Sequence, residues 1–281
     1  MNEHQLTPQQ IMDYGAYLRA QEREASTIEK YLHDVREFCS WIAGRTLNKE
    51  RITEWKENLC RSGFAPVTIN CKIAAVNGFL EFIGRQECRV KPLRIQRRVF
   101  RDSSRELTKT EYEKLVSTAV CLGKERLALV LETICATGIR VSELKNITVE
   151  AVSRGRAEIA LKGKIRTILI PGKLCRKLKK YFRKKKIASG EVFLTGSGKS
   201  ISRKQVWAEM KSLCRKAGID AGKVFPHNLR HLFARCFYRV CRDIARLADV
   251  LGHSSIETTR LYLISSGTEH ERTLERLQLI L

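Results

Sequence analysis

The chain has 281 residues, 43% of them hydrophobic, which is enough for two domains with apolar cores. Its 53 Lys/Arg exceed its 30 Asp/Glu by 23 charges, which favours a polyanionic partner, most simply nucleic acid, although a membrane surface also attracts such a charge. Residues 1–91 hold 13 basic and 12 acidic side chains, so nearly all the excess follows residue 91.

The sequence contains no feature typical of an exported or membrane protein. Its start, MNEHQLTPQQ, is polar, and its best apolar stretch, Leu127–Ile139, is interrupted by Glu132. The ten cysteines form no C-x-x-C pair, which favours small buried thiols over a zinc site. We therefore expect a cytoplasmic, nucleoid-associated protein without disulfides, membrane contact, metal or cofactor.

Residues 1–91 predict a compact helical domain. Apolar residues recur at helical spacing in four segments, each with a recognisable start or stop signal. The first helix is predicted from Pro8 to about Ala20, and the second begins after a cap at Ser26 or Thr27. The third ends near Gly63, and the fourth begins at Pro66.

Residues 92–106 predict a basic linker. The surrounding stretch KPLRIQRRVFRDSS is rich in arginine, contains a proline and has no clear periodicity. Arg97 and Arg98 are its candidate DNA contacts, and a solvated hinge without DNA contact is the alternative.

Residues 107–281 predict a second domain in which helices surround a small β-hairpin. Thr108 and Glu111 fit a capping box. Alternating runs at Arg156–Leu161 and Arg166–Ile170 flank the turn residues 162–164. Helices are predicted at 109–121, 124–137, 141–146, 173–186, 202–217, 227–238, 241–251, 255–264 and 269–281. The fold class is therefore mainly α with a small β-hairpin (α+β).

A basic run, KLCRKLKKYFRKKK, occupies residues 173–186 and holds nine Lys/Arg. Apolar residues recur within it at helical spacing, so it predicts an amphipathic helix. Its polar face either binds DNA phosphates, with Lys179 and Lys180 as candidates, or is simply solvated.

Six scattered residues carry the functional prediction: Arg140, Lys162, His227, Arg230, His253 and Tyr262. Each has an ordinary structural explanation when taken alone. His227 and His231 are also spaced like a metal pair, but a third ligand is missing and H-x-x-R-H lacks the glutamate of a zinc hydrolase. Together the six supply two guanidiniums for a phosphate, three groups for proton transfer or hydrogen bonding, and a phenol.

These residues stand in motifs that resemble the tyrosine recombinase (phage integrase) family. The motifs are A-T-G-I-R-V-S-E-L at 136–144, K-G-K at 162–164, H-N-L-R-H at 227–231, L-G-H at 251–253, and a tyrosine nine residues after that histidine. The resemblance covers the catalytic half, and the N-terminal helices are similar to the core-binding domain of the family. The short Xer-like and transposon-integrase members, with two domains, are the most similar.

The resemblance implies a role for each of the six residues. Tyr262 attacks the scissile phosphorus, and Arg140 and Arg230 hold the non-bridging oxygens, which suits the planar fork of arginine. A free phenol has a pKa of about 10, so the attack needs assistance. Lys162 protonates the departing 5′ oxygen, His227 exchanges a proton near the tyrosine, and His253 bonds the phosphate.

Four further residues are assigned supporting roles. His231 is predicted to pack behind Arg230, and Glu143 to orient Arg140 or His231. Lys164 and Arg166 compete with Lys162 for the role of general acid, and otherwise are candidate DNA contacts.

The reaction implied is cleavage and rejoining of DNA through a 3′-phosphotyrosyl link, without metal or ATP. It serves integration or excision of a mobile element, or Xer-type resolution. The resemblance further implies double-stranded DNA with inverted-repeat core sites and a homo-tetramer joined by Glu269–Leu281, unless that tail folds on its own domain. The alternatives are a catalytically silent DNA-binding regulator and a type IB topoisomerase-like enzyme.

Overall fold

Two units, residues 1–97 and 98–281, make up the chain. The computed structural model describes residues 6–95, 103–161, 164–263 and 275–277. Several predictions lie outside these residues: those for Arg97 and Arg98, for Lys162, and for nearly all of Glu269–Leu281.

The first unit contains four helices, as predicted: α1 (Pro8–Ala20), α2 (Ala25–Ile42), α3 (Lys49–Arg61) and α4 (Pro66–Phe82). The predicted cap of α2 was wrong. Ser26 and Thr27 lie inside its first turn, because Glu24 is the last extended residue and its carbonyl accepts the amides of Thr27 and Ile28.

Helix α4 is the centre of this unit, where its apolar residues pack against α1, α2 and α3. Two of its asparagines also hold the segment that follows the unit's last turn. The amide of Asn77 bonds the backbone of Val90, and the amide of Asn70 bonds the backbone of Leu93. The backbone is therefore tethered to the domain as far as Leu93.

The second unit is built around helix α6 (Glu125–Thr137), which is buried on most of its circumference. It packs against α5, α8, α9 and α10. The other helices are α5 (Lys109–Cys121), α7 (Val149–Arg154), α8 (Gly172–Lys184), α9 (Arg203–Ala217), α10 (Pro226–Cys241), α11 (Ile244–Leu251) and α12 (Ile256–Leu263). No helix in the described ranges is long and apolar enough to cross a membrane.

The predicted hairpin is present as antiparallel strands β1 (Arg156–Leu161) and β2 (Lys164–Leu169), with Ile159 opposite Arg166. The second strand begins two residues earlier than predicted. Its side chains alternate: Ile165 and Leu169 are exposed, whereas Ile168 is buried and Arg166 is partly buried. Arg166 therefore shares the inward face of β2.

Candidate active site

The site forms where α6, α10, α11 and α12 meet within the second unit. Gly138 ends α6 with a left-handed φ of 67° and turns the chain into Arg140, which precedes a 3-10 turn at Val141–Asn146. A β-carbon at Gly138 would collide with the ring of Phe233 on α10. Glycine at this position is therefore required both by the backbone and by the close packing of α6 on α10.

Glu143 fixes the position of Arg140. One carboxylate oxygen accepts the backbone amide of Arg140 at 2.7 Å, and the other accepts its guanidinium at 3.0 Å. Glu143 is buried, whereas 37% of the Arg140 side chain remains exposed. The predicted pairing of Glu143 with Arg140 is therefore observed, and part of the Arg140 side chain stays open to solvent.

Arg230, on α10, is buried and held by backbone carbonyls. It donates to Gly138 O at 2.5 Å and to Leu251 O at 2.8 Å. Burial is the main cause that lowers the pKa of Arg230 to about 10; the charge of Arg140 acts in the same direction, and the Tyr262 hydroxyl opposes it. Arg230 therefore remains a cation at neutral pH.

His253 joins Arg230 to α12. Its Nε2 lies 2.9 Å from the Arg230 guanidinium and its Nδ1 lies 2.9 Å from the Thr259 hydroxyl. Because a guanidinium can only donate, Nε2 must accept and the ring must be neutral. Burial, followed by the charges of Arg230 and Arg140, lowers the pKa of His253 to about 4, in agreement with that tautomer.

Tyr262 lies among three histidine rings and is 5% exposed. Its ring centroid is 4.1 Å from that of His231, 5.3 Å from that of His253 and 5.5 Å from that of His227. His231 was predicted to pack behind Arg230; the contacts seen for its ring are with Tyr262 and, edge-on, with His227. The phenol therefore lies in the same cluster as His253 and Arg230.

The remaining predicted residues, Lys164, Arg166, Lys179 and Lys180, lie on β2 and α8. Lys164 begins β2, with its backbone opposite Leu161. The Arg166 guanidinium bonds Glu143 and backbone carbonyls instead of standing free on the surface. Lys180 is exposed and Lys179 partly exposed on α8, consistent with either of the two interpretations of that helix.

A cavity of about 820 Å³ opens beside Arg140, His227 and Arg230. Its other wall includes Arg203, Lys204 and Trp207 of α9, which sequence reasoning missed. Trp207 is 51% exposed, and the Lys211 ammonium lies 5.3 Å from its ring centroid. The sequence signal that could have identified this wall is Trp207, four residues after Arg203 at the start of a helix in a strongly basic domain.

The donor set of this site suits an anion better than a metal ion. It presents guanidiniums, three imidazoles and a phenol, while its carboxylate, Glu143, is already paired with two arginines. Among the described residues, a group with possible metal-ligand spacing occurs elsewhere, at His33, Asp34 and Glu37 of α2. There the Lys72 ammonium already bonds Glu37 and lies 3.4 Å from Asp34.

The family matches of the chain are consistent with the residues found in this site. Residues 105–268 match the phage integrase family, and residues 11–87 match the N-terminal SAM-like domain of phage integrases. The chain is 29% identical to tyrosine recombinase XerA of Pyrococcus furiosus, over 100% of this chain and 98% of the relative. It is 31% identical to tyrosine recombinase XerC of Roseiflexus castenholzii, over 93% and 92%.

Solved structures share the fold. XerH bound to palindromic difH substrate aligns with a TM-score of 0.71 at 16% identity, over 98% of this chain and 90% of that chain. A lambda integrase tetramer bound to a Holliday junction aligns with a TM-score of 0.72 at 17% identity, over 92% and 78%.

Proposed function

Because the chain belongs to the phage integrase family of tyrosine recombinases, we propose that it carries out site-specific DNA recombination with Tyr262 as nucleophile. The observation that carries this assignment is the convergence of Tyr262, Arg230 and His253 in one chain. The phenol ring lies 5.3 Å from the His253 ring, which in turn bonds Arg230 at 2.9 Å.

In the proposed first step, the Tyr262 oxygen attacks the scissile phosphorus and the bond from phosphorus to the 5′ oxygen breaks. The phenol proton passes to His227, and Lys162 supplies a proton to the departing 5′ oxygen. The products are a 3′-phosphotyrosyl link and a free 5′ hydroxyl. Because the new ester retains the energy of the broken bond, the hydroxyl of a second strand can reverse the step without ATP.

The arginines are assigned to the phosphate. Arg140 keeps 37% of its side chain exposed, and both arginines line the same cavity. Helix α10 begins at Pro226 beside the same cavity, so its positive end also favours an anion there. These fixed donors stabilise the charge that grows on the non-bridging oxygens in the transition state.

DNA is the substrate, and we propose that the assembly on it is a homo-tetramer on two inverted-repeat sites. A structure that shares the fold, lambda integrase, forms a tetramer bound to a Holliday junction, which supports the tetramer. The tail Glu269–Leu281 is proposed as the connector between protomers. Two DNA-binding domains, at 1–91 and 107–281, joined by a basic linker at 92–106, are part of the proposal. The proposed location is cytoplasmic and nucleoid-associated.

Covalent trapping tests this function. The protein, in EDTA, would be incubated with nicked DNA carrying inverted repeats from beside its own gene, and the products separated on a denaturing gel. A shifted band is expected for the wild type and for Tyr181→Phe, which alters another buried tyrosine of the same unit. Tyr262→Phe should bind the DNA but give no band.

Absence of a band on DNA that the wild-type protein binds would contradict the proposal and favour a catalytically silent regulator. A band that survives in Tyr262→Phe would contradict the choice of nucleophile. Ligation of the cleaved strand to a second duplex, rather than relaxation of supercoils alone, separates recombination from a topoisomerase activity.

A further inference from the structure

Arg166 stands at an unusual position for a charged side chain. It lies on the inward face of β2, two residues before the buried Ile168, and only 15% of its side chain is exposed. A guanidinium in such a position needs hydrogen-bond acceptors within the fold, because burial of an unpaired charge is costly. Its acceptors lie in the candidate active site.

The Arg166 guanidinium bridges two segments that are far apart in sequence. One nitrogen donates to Glu143 Oε2 at 2.6 Å, and the other donates to the carbonyl of Leu251 and, at 3.4 Å, to that of Val250. The side chain also fills the space beside Gly252, where a β-carbon would collide with it. Arg166 thus links the hairpin to the segment before His253.

Both acceptors are shared with the two arginines that we assign to the phosphate. Glu143 also binds the backbone and guanidinium of Arg140, and the Leu251 carbonyl also accepts Arg230. Arg166 therefore contacts one hydrogen-bond acceptor of each phosphate-binding arginine: Glu143 for Arg140 and the Leu251 carbonyl for Arg230. Loss of Arg166 would release Glu143 and the Leu251 carbonyl to move, and with them Arg140 and Arg230.

Arg166 is poorly placed for direct contact with DNA. Its terminal nitrogens are engaged by Glu143 and Leu251, and most of its side chain is covered. Burial, with an added contribution from the charge of Arg140, lowers its pKa, whereas Glu143 acts in the opposite direction. The guanidinium therefore belongs to a fixed internal network of three arginines and one carboxylate.

We propose that Arg166 is a positioning residue for strand cleavage, which holds Glu143 and the Leu251 carbonyl where they orient Arg140 and Arg230. The inference rests on the proposed function of the site. It replaces two earlier expectations for Arg166, direct DNA contact and the role of general acid.

The first test separates DNA binding from cleavage. Arg166→Gln and Arg166→Lys would be compared with Arg156→Gln, which removes an exposed charge from the other strand of the same hairpin. At saturating DNA, both Arg166 variants should cleave about 10- to 100-fold more slowly, as expected for a small displacement of catalytic groups. Arg156→Gln should cleave at the wild-type rate.

The salt dependence of binding distinguishes positioning from phosphate contact. Loss of one phosphate contact lowers the slope of log K against log salt by about 1, so an unchanged slope is expected for Arg166→Gln. Thermal unfolding of each variant checks that the domain is folded, and Arg166→Lys provides the cleavage test should Arg166→Gln be unstable. A lower slope with a normal cleavage rate would overturn the inference.

Two further measurements respond to positioning but not to general destabilisation. If Arg166 acts through Glu143, the double variant Arg166→Gln/Glu143→Gln should lose less activity than the product of the single losses. The penalty of Arg166→Gln should also shrink on a methylphosphonate substrate, whose uncharged phosphorus centre depends less on the arginines. Additive losses and an unchanged penalty would overturn the inference.

The outcomes also distinguish this inference from the proposed function. If the wild-type protein forms no covalent complex with DNA, the proposed function itself is contradicted. Normal cleavage by both Arg166 variants, alongside an inactive Tyr262→Phe, would remove only the role assigned to Arg166.

Discussion

The imidazole of His231 lies against the phenol ring of Tyr262, with centroids 4.1 Å apart and planes inclined by 31°. Tyr262 is on the short helix α12, which packs mainly against α10 and α11. The adjacent, tilted ring of His231 therefore constrains where the phenol oxygen can lie.

Substitution of His231 should slow cleavage without preventing DNA binding. His231→Ala removes a contact of about 0.5–1.5 kcal/mol and should reduce the single-turnover cleavage rate on the order of tenfold. His231→Phe keeps a stacking ring and should retain most of the rate. Equal rates for His231→Ala and the wild type would show that Tyr262 is positioned by other contacts.

Gly138→Ala should destabilise the catalytic unit more than Gly155→Ala. Both glycines have a left-handed φ, 67° and 71°, which costs alanine about 1 kcal/mol. Only Gly138 has a neighbour, Phe233, in the path of the new methyl group, so we expect a total of about 2–4 kcal/mol there. Urea unfolding measures both, and equal losses would contradict the packing explanation.

Acid should destabilise the fold through His253. Its pKa is about 4 in the fold against about 6.5 in an unfolded chain, so the unfolded state binds the proton more readily. The stabilising contribution is therefore complete above pH 6.5 and is lost as the pH falls toward 4. Unfolding free energies between pH 7.5 and 4.5 should decline less steeply for His253→Gln than for the wild type.

Thr259→Val is the control for this pH effect. It removes the hydroxyl next to Nδ1 of His253 but keeps the imidazole. Thr259→Val should lower the unfolding free energy at every pH. That free energy should still decline between pH 6.5 and 4.5, because the imidazole of His253 is retained. A decline of the same steepness in His253→Gln would assign the effect to another group.

Trp207 should contribute to DNA affinity by burying its exposed ring against the DNA backbone. The ring is half exposed at the cavity that contains Arg140 and Arg230. Burial of the exposed half of an aromatic ring is worth about 1–1.5 kcal/mol, so Trp207→Ala should weaken binding about 5- to 10-fold. Trp207→Phe is the matched variant that should keep most of the affinity, and fluorescence anisotropy measures all three proteins.

The basic face of α8 provides a test of phosphate contact. Lys179→Gln/Lys180→Gln should lower the salt slope of DNA binding by up to about 2, while cleavage at saturating DNA stays unchanged. Lys177→Gln/Lys184→Gln removes the same charge from ammoniums already paired with Glu132 and Glu125, and should change the slope less. Equal slopes for both double variants and the wild type would favour a solvated helix face.

Local signals accounted for much of the fold. Thr7 and Thr108 cap their helices with side-chain bonds that involve only neighbouring residues, so the sequence predicts both helices correctly. Helix α7 was missed because its six residues are too short for a periodic pattern, and it is held by packing against α8 and β1. The start of α2 was misplaced because Ser26 and Thr27 offer capping groups that the backbone does not use.

The sequence by itself identified the side chains that we propose for the chemistry, because Arg140, His227, Arg230, His253 and Tyr262 stand in short motifs with fixed spacing. Only the tertiary structure decided what holds them. Arg230 is positioned by the carbonyls of Gly138 and Leu251. Arg166 is positioned by the Leu251 carbonyl and the Glu143 carboxylate. Backbone carbonyls are common to every residue, so no pattern of side chains reveals which of them the packing of α6, α10 and α11 will bring to a guanidinium.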